Sequence, residues 1–240
     1  MNSYIIFGAN SDISSKLIEK LALNNKVYAI ARNFSIHQYN NLNIEPIQSE
    51  FLDFNTVEQL INDIVNKDSN IRGVANFAGS IYLKPAHLVN EEDYIRVFDS
   101  NFKTSFAIAR SCGKLLSNSS ILFISSTATL VGLANHELVA ATKAAINGMA
   151  ISAAASYTHK NLRFNAIAPA LVDTKLAKVL IANETSRKIS ENMNPLAKIG
   201  SPSDIANMAY FLLDPENSWI TGQIIAVDGG MSNIRHRMKA

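Results

Sequence analysis

The sequence predicts an α/β fold, a doubly wound parallel sheet of about seven strands with helices on both faces. Two observations lead to this prediction. Short apolar, β-branched runs alternate with longer helical patterns from one end of the chain to the other. The chain has 240 residues, of which 48% are hydrophobic, enough for one large core. Because no linker or composition break interrupts the alternation, we expect a single domain over residues 1–240.

The predicted strands are Tyr4–Phe7, Val27–Ala31, Ile44–Gln48, Gly73–Asn76, Ile121–Ser125, Arg163–Ile167 and Gln223–Val227. The predicted helices are Asp12–Leu23, Thr56–Asn66, Glu91–Leu116, Glu137–His159 and Ser203–Leu213. The longest weakly polar stretch, Leu138–Tyr157, is interrupted by Lys143 and Asn147, so we expect a buried helix and not a membrane span. In such a sheet a ligand is expected beyond the carboxyl ends of the strands.

Composition argues against several classes of protein. The net charge of +2 is too small to indicate a nucleic-acid partner. The lone cysteine, Cys112, excludes an internal disulfide and suggests a reducing compartment. Met1–Phe7 runs directly into a strand pattern without the basic start of a signal peptide, so a cytoplasmic location without a membrane anchor is expected. No metal site is predicted, because none of four histidines has metal-ligand spacing to Asp, Glu or Cys. They are His37, His87, His159 and His236.

The turn after the first predicted strand, Gly8–Ser15, opens the first predicted helix. In this context a glycine-containing turn presents backbone amides and the positive end of a helix to phosphate. The predicted cofactor contacts here are Gly8, Asn10, Ser11, Asp12 and Ile13. Asp12 is awkward, because a carboxylate repels a pyrophosphate, although it suits a helix N-terminus. A plain strand-to-helix turn is the alternative interpretation.

The second predicted strand ends at Ala31 and is followed by Arg32. Sheets that bind NAD usually carry an acid here for the ribose hydroxyls, whereas an arginine accommodates a 2′-phosphate through its forked guanidinium. Arg32 therefore favours NADP(H) over NAD(H). A solvated loop charge is the alternative.

The apolar run Ile121–Ile124 ends in Ser125 and Ser126, and Lys143 follows seventeen residues after Ser126. This segment resembles the active site of the short-chain dehydrogenase/reductase family, in which a strand-end Ser, a Tyr and a Lys follow one another at these spacings. The resemblance extends from about residue 3 to residue 231 and implies a Rossmann fold that transfers a hydride with a nicotinamide cofactor. It assigns Ser126 to the substrate oxygen and Lys143 to the nicotinamide ribose.

The same resemblance includes the turn after the first predicted strand, which is similar to the family's Gly-x-x-x-Gly-x-Gly. Gly8 is the first glycine of that pattern, and Asp12 and Ser14 stand at the second and third.

The resemblance assigns further residues. Asp53 would bind the adenine amino group, although an Asp before a helix is equally well a cap. Asn76-Phe77-Ala78-Gly79 resembles the family's Asn-Asn-Ala-Gly, in which the glycine lets the backbone pass close to the cofactor. Asn101 would hold a water that leads to Lys143. The cofactor contacts that complete this set are Asn76, Ala78, Gly79, Pro169, Val172 and Thr174.

Position 139, which the resemblance gives to the catalytic Tyr, holds Val139. A carbonyl oxygen that is being reduced needs a proton, and a positioned acid contributes about two to four orders of magnitude in rate. Valine has no proton to give. The predicted replacement is His136 on the same helix face, or a water held by Ser126 and Lys143. A surface histidine is the alternative for His136.

The segment Leu171–Arg187 would form a mobile lid over the substrate. Its residues Leu176, Val179, Leu180 and Ile181 indicate an apolar substrate side, although a plain amphipathic surface helix explains them as well. The resemblance also implies a homodimer or homotetramer built on the two long helices.

Three functions stay open. The first is an NADP(H)-dependent oxidoreductase that acts on a carbonyl or alcohol of a small or acyl-type substrate with rerouted proton transfer, which Ser126, Lys143 and Asn101 favour. The second is a catalytically silent nucleotide-binding or partner-binding protein, which Val139 favours. The third is an enzyme whose reaction needs no phenol, such as reduction of an activated double bond or an elimination.

Overall fold

A computed structural model describes residues 1–34 and 41–235. The strands are, in chain order, β1 (Ser3–Phe7), β2 (Lys26–Ala31), β3 (Ile44–Gln48), β4 (Ile71–Asn76), β5 (Ser120–Ile124), β6 (Arg163–Pro169) and β7 (Ile224–Val227). They form one sheet in the order β3-β2-β1-β4-β5-β6-β7, and every neighbouring pair is parallel. The predicted fold class is confirmed.

The α-helices of the described residues are α1 (Asp12–Leu21), α2 (Phe54–Lys67), α3 (Glu91–Phe98), α4 (Thr104–Leu115), α5 (Glu137–Ser156), α6 (Glu184–Asn192) and α7 (Pro202–Leu213). A π-helical turn, Asp99–Lys103, joins α3 to α4, and a 3₁₀ helix, Lys175–Ile181, precedes α6. α2, α4 and α5 cover one face of the sheet, whereas α1 and α7 cover the other.

β1 illustrates why the sheet is buried on both sides. All of its residues are buried. Ile5 and Phe7 belong to the core beneath α2, α4 and α5, while Tyr4 and Ile6 belong to the core beneath α1 and α7. Successive side chains of a strand point to opposite faces, so a strand covered on both sides is a continuous apolar run.

The direction of chain travel across the sheet reverses between β1 and β4. From β1 the chain builds outward to β2 and β3, and then returns to place β4 on the other side of β1. In open α/β sheets, ligands bind beyond the carboxyl ends of the strands at such a point. Gly8 directly follows β1 and Phe77 directly follows β4, so both predicted nucleotide motifs lie at this crevice.

The element boundaries depart from the predictions by one to three residues, and one helix differs in kind. The predicted helix Glu91–Leu116 is interrupted by the π-helical turn, which inserts a wider turn after Phe98. The predicted lid, Leu171–Arg187, is not one amphipathic helix but contains the 3₁₀ helix and the start of α6. Apolar periodicity does not locate either change, because one wider turn or one short 3₁₀ helix shifts the side-chain register only locally.

α5 is the one helix in the described part of the chain that is long and apolar enough to cross a membrane, with a mean hydropathy of 1.3. Half of that segment is buried inside the domain. Ile146 and Ala150, for example, lie in the core with residues of β5 and β6. Core packing therefore accounts for the apolar character of this helix.

Candidate active site and cofactor crevice

The turn after β1 brings two backbone segments into close approach. Gly8 has a φ of +71°, and a Cβ atom on it would lie 2.4 Å from the backbone nitrogen of Ala78. Only glycine adopts this conformation freely and leaves this space open. The Ser14 hydroxyl donates to the Gly8 carbonyl oxygen at 2.8 Å, and Ser11 caps α1 by accepting the Ser14 N–H at 3.1 Å. The turn is thus rigid and narrow where a phosphate is predicted.

Asp12 does not cap its own helix. Its Oδ2 accepts the backbone N–H of Lys175 at 2.6 Å, and its Oδ1 lies 3.8 Å from the Lys175 ammonium. The carboxylate is therefore directed to the lid, a placement that the sequence did not indicate. Asn10, the other polar member of the predicted set, donates to the Asn33 carbonyl oxygen at 3.4 Å and links the turn to the loop after β2.

Arg32 directly follows β2, and Asp53 lies at the end of the loop between β3 and α2. Arg32 is exposed, and within residues 1–34 and 41–235 its guanidinium has no hydrogen-bond or ion-pair partner. Asp53 is the N-cap of α2 and accepts the Thr56 N–H at 2.8 Å. This hydrogen bond to Thr56 is the main reason that the pKa of Asp53 is lowered. The capping interpretation of Asp53 is therefore confirmed, and its contact with adenine stays a prediction.

The loop after β4 is held by Asn76, which is buried. Its Oδ1 accepts the Ala78 N–H at 3.0 Å, and its Nδ2 donates to the Ser105 hydroxyl at 3.1 Å. These bonds direct the backbone toward Gly79. A Cβ atom on Gly79 would lie 2.9 Å from Asn101 Oδ1 and 3.5 Å from Lys143 Nζ. A side chain at position 79 would therefore collide with Asn101, and glycine lets the loop pass close to an amide oxygen and an ammonium. We call this place the niche beside Gly79.

Asn101 lies in the π-helical turn and is fully buried. Its Nδ2 donates to the Val97 carbonyl oxygen at 3.0 Å and to the Ser80 hydroxyl at 3.1 Å, while its Oδ1 accepts the Ser80 N–H at 3.3 Å. Single π-helical turns occur often at functional sites, since they re-aim a side chain out of the helical register. The turn explains how an Asn within a helix reaches the niche beside Gly79.

Lys143 is buried in α5, and its ammonium donates to the Ile124 carbonyl oxygen at 2.9 Å. Burial lowers the pKa of Lys143 to about 8, and no charged side chain of the described residues offsets this desolvation. A buried lysine without a carboxylate partner is costly. Since the hydrogen bond to Ile124 uses one N–H of the ammonium, the others are left to bind a ligand or a water in the niche.

Ser126 lies on the turn after β5, where its hydroxyl accepts the Ala128 N–H at 3.1 Å. This turn is connected to α5 by a residue that sequence reasoning passed over. Asn147 Nδ2 donates to Thr129 Oγ1 at 3.0 Å, and Thr129 Oγ1 donates to the Ser126 carbonyl oxygen at 2.8 Å. The available signal was a polar residue one helical turn after Lys143 in an apolar helix.

Val139 is buried one helical turn before Lys143 on α5, and its side chain has no polar atom. His136 is the N-cap residue of α5, and its Nδ1 lies 2.8 Å from the carbonyl oxygen of Ala134. No contact among the described residues brings the imidazole of His136 to Ser126 or Lys143. The structure thus gives no support to His136 as proton donor, and that role stays a prediction.

The segment after β6 forms the base of the lid. Pro169 ends the strand, and the buried Val172 forms an isolated bridge with Gly200. Thr174 then caps the 3₁₀ helix by accepting the Ala177 N–H at 3.3 Å. Two of the predicted apolar lid residues, Leu176 and Val179, are mostly exposed, so they are free to contact a substrate or solvent.

The part of the chain that the structure describes contains no group of three or more His, Cys, Asp or Glu side chains able to hold a metal. His37 and His236, which were weighed as ligands, lie outside the described residues.

Known proteins share both the sequence pattern and the fold. Residues 30–232 match a family model described as enoyl-(acyl carrier protein) reductase. A tropinone reductase homologue of Arabidopsis thaliana is 32% identical over 187 residues, which make up 77% of this chain and 71% of the homologue. A chloroplastic homologue is 28% identical over 96% of this chain and 75% of its own length. In another such homologue the chain spans only 61% of the length.

Solved structures extend this similarity to the whole fold. ElxO with NADP bound superposes with a TM-score of 0.88 at 26% identity, covering 96% of this chain and 98% of ElxO. The ligand-free aldohexose dehydrogenase of Thermoplasma acidophilum has a TM-score of 0.86 at 25% identity, covering 100% of this chain and 96% of that enzyme. The chain belongs to the short-chain dehydrogenase/reductase family, a class of oxidoreductases with a Rossmann-type fold.

The burial of Lys143 makes a prediction about stability. Below pH 8 the folded protein carries a buried ammonium, whereas the unfolded chain keeps its proton in water up to about pH 10.5. The free-energy cost of burying the ammonium is therefore fully present below pH 8, and it decreases as the pH rises toward 10.5. We expect Lys143→Met to raise the free energy of unfolding by roughly 1–3 kcal/mol at pH 7, and the gain to shrink by pH 10.

Urea denaturation of both proteins at pH 7 and pH 10 measures this difference. The control is Lys160→Met, which removes a surface lysine that also donates to a backbone carbonyl, that of Gly113. If Lys143→Met does not raise the free energy of unfolding at pH 7, Lys143 is not a destabilising buried ammonium. The same conclusion follows if the increase does not change with pH.

Proposed function

We propose that the protein is an NADP(H)-dependent oxidoreductase that acts on a carbonyl or alcohol, or on an activated double bond, of a small or acyl-type substrate, with proton donation that does not use a phenol. The observation that carries this proposal is the niche beside Gly79. Asn101 Oδ1 and Lys143 Nζ both face it, and it lies at the reversal point of the sheet, where Gly8 narrows the crevice. Burying an ammonium here is costly and serves no evident packing purpose.

The residues fit a dinucleotide along the whole crevice. Gly8 and Gly79 let backbone pass where any side chain would collide, and α1 offers its positive end beside Gly8. When bound, the cofactor supplies or accepts the hydride. The residues that would hold it are Gly8, Asn10, Ser11, Ile13, Arg32, Asp53, Asn76, Ala78, Gly79, Lys143, Pro169, Val172 and Thr174. Asp12 is also a predicted cofactor contact. Because its carboxylate is bonded to Lys175 of the lid, it would act on the cofactor from the lid side.

Arg32 supports NADP(H) as the preferred form. Its exposed guanidinium, without a protein partner among the described residues, is available for a 2′-phosphate. ElxO, a structural neighbour, is known with NADP bound, and a tyrosine-to-phenylalanine variant of ElxO with NADPH bound.

Fluorescence titration with NADPH and NADH tests this cofactor assignment. We expect wild type to bind NADPH more tightly, and Arg32→Ala to weaken NADPH binding roughly tenfold by removing a charged hydrogen bond, while NADH binding stays unchanged. The matched control is Arg72→Ala, which changes another surface arginine away from the crevice. Equal losses for both nucleotides would assign Arg32 no role in phosphate recognition, and no binding of either would refute the proposed function.

The proton for the substrate oxygen is proposed to come from a water held by Ser126 and Lys143. The Ser126 hydroxyl lies at the strand end, and the Lys143 ammonium, with its pKa lowered to about 8 by burial, gives up a proton near neutral pH more readily than an exposed lysine does. Val139 would exclude bulk water from one side of this path. His136 is the alternative donor.

Turnover of a panel of carbonyl substrates separates these donors. We expect slow wild-type turnover, an increase of about ten- to a thousandfold in Val139→Tyr, and no change in His136→Ala. The matched control for the introduced phenol is Val139→Phe, which adds the ring without the hydroxyl and should show no increase. A loss of rate in His136→Ala would assign the proton to that imidazole.

A catalytically silent nucleotide-binding protein is the second candidate function. The observation that favours it is the alkyl side chain of Val139, buried one turn from Lys143. Activity in Val139→Tyr but none in wild type would support this candidate, whereas wild-type turnover would exclude it.

We also propose that the chain forms a homodimer or homotetramer through the outer faces of α4 and α5. Phe106 on α4 and Ile151 on α5 are 42% and 52% exposed. Phe106 continues a row of aromatic side chains, with ring centroids 5.8 Å from Phe54 and 5.9 Å from Phe102. Exposed apolar patches of this kind mark association surfaces.

Ile151→Glu is expected to shift the protein toward the monomer, because burying a carboxylate in an interface is unfavourable. Size-exclusion chromatography with light scattering measures the change. Phe211→Glu on α7, which is 45% exposed on the opposite side of the sheet, is the matched control. If Phe211→Glu alone dissociates the oligomer, the interface lies on α7 and not on α4 and α5. A monomeric wild type would contradict the proposed homodimer or homotetramer.

A cytoplasmic location, without membrane or nucleic-acid partners, also stays a proposal. The buried, reduced Cys112 agrees with a reducing compartment. One relative is named as chloroplastic, so imaging of the tagged protein in its source cells is the deciding measurement.

A further inference from the structure

Asp12 occupies the second position of the glycine-turn pattern, which the family resemblance gives to glycine, and it opens α1. Its side chain is 26% exposed. Instead of facing the turn, Oδ2 accepts the Lys175 N–H at 2.6 Å across 163 residues of sequence. We name this contact between the Asp12 carboxylate and the Lys175 N–H the lid latch.

The lid latch connects α1 with the 3₁₀ helix of the lid, two elements that otherwise make few contacts with each other. Lys175 is the first residue of the 3₁₀ helix, directly after Thr174, which caps that helix. Among the residues that the structure describes, the only other hydrogen bond or ion pair between α1 and this helix is the ion pair of the same two residues, Asp12 and Lys175. A cavity of about 410 Å³ opens beside the contact, lined by Ser15 and Lys16 of α1 and by Thr174 and Lys178 of the lid. The two elements are therefore separated by solvent there.

The charge of Asp12 is also accounted for by this contact. An unpaired carboxylate beside Gly8 would repel a diphosphate. The Lys175 N–H holds the carboxylate on the lid side, and the Lys175 ammonium at 3.8 Å adds a weak, exposed ion pair. The hydrogen bond to the backbone is the stronger part, because it is direct at 2.6 Å, whereas the ammonium is exposed and 3.8 Å away.

From these contacts we infer that Asp12 is a positioning residue that holds the first turn of the lid against α1, and thereby slows the escape of the dinucleotide bound beneath it. The part concerning the dinucleotide rests on the proposed function, whereas the lid latch itself does not. Asp12 acts through Lys175 and touches no reacting atom in this arrangement.

Hydrogen–deuterium exchange of the cofactor-free protein tests the latch directly. We expect Asp12→Ala to speed exchange in Lys175–Ile181 about tenfold, because a charge-assisted hydrogen bond is lost. Asp12→Asn keeps an acceptor without the charge and should give an intermediate rate. The matched control is Glu19→Gln, which makes the same charge change on α1 at a residue paired only with Lys16 on the surface. It should leave the lid unchanged.

Stopped-flow displacement of NADPH is the second measurement. Asp12→Ala is expected to release NADPH several-fold faster than wild type, with Asp12→Asn between them. Slower release from Asp12→Ala would show that Asp12 acts by repelling phosphate, and would overturn the inference. Unchanged lid exchange in Asp12→Ala would overturn it as well. If wild type does not bind NADPH, the proposed function fails, and lid exchange in the free protein still decides whether the latch exists.

Discussion

The site is organised around one buried charge, the ammonium of Lys143. Taking a lysine out of water is unfavourable, and its lowered pKa reflects that cost. The ammonium donates to the Ile124 carbonyl oxygen, and the Asn101 amide lies near the same loop, at Gly79. The π-helical turn directs Asn101 toward this loop, and the loop approaches it closely because position 79 is glycine.

The end of the crevice where a nucleotide is predicted departs from the family pattern at two positions, and in each case the substituted side chain finds a hydrogen-bond partner. Ser14 stands where the pattern has its third glycine, and its hydroxyl is bonded to the Gly8 carbonyl oxygen. Asp12 stands where it has its second, and its carboxylate is bonded to the lid. Gly8 alone is retained where backbone crosses backbone, because there a Cβ would collide with Ala78. At the two positions that are not glycine, Asp12 and Ser14, the polar side-chain atoms form hydrogen bonds within the protein.

Family membership shows that this chain has the fold of a class of oxidoreductases. It says less about whether this particular chain is catalytically active. Fold and function are separable, and the step that distinguishes an enzyme from a binder here is proton delivery at one oxygen. By the family resemblance, Val139 stands at the position of the usual donor, while Ser126, Asn101 and Lys143 match the groups around it. The Asn147–Thr129 bridge that fixes the Ser126 turn shows that this part of the site is held rigidly.

The sequence by itself determined the seven strands, their parallel pairing and the residues that follow each strand, because two-sided burial leaves continuous apolar runs that few other structures produce. It also predicted roles for Gly8, Ser126 and Lys143, through a family resemblance whose motifs have local spacing along strand and helix. Only the tertiary structure decided that Asn101 turns toward Gly79, that Asn147 supports the Ser126 turn and that Asp12 reaches Lys175. These contacts join residues far apart in the chain, and the direction of a side chain there depends on what the fold brings beside it.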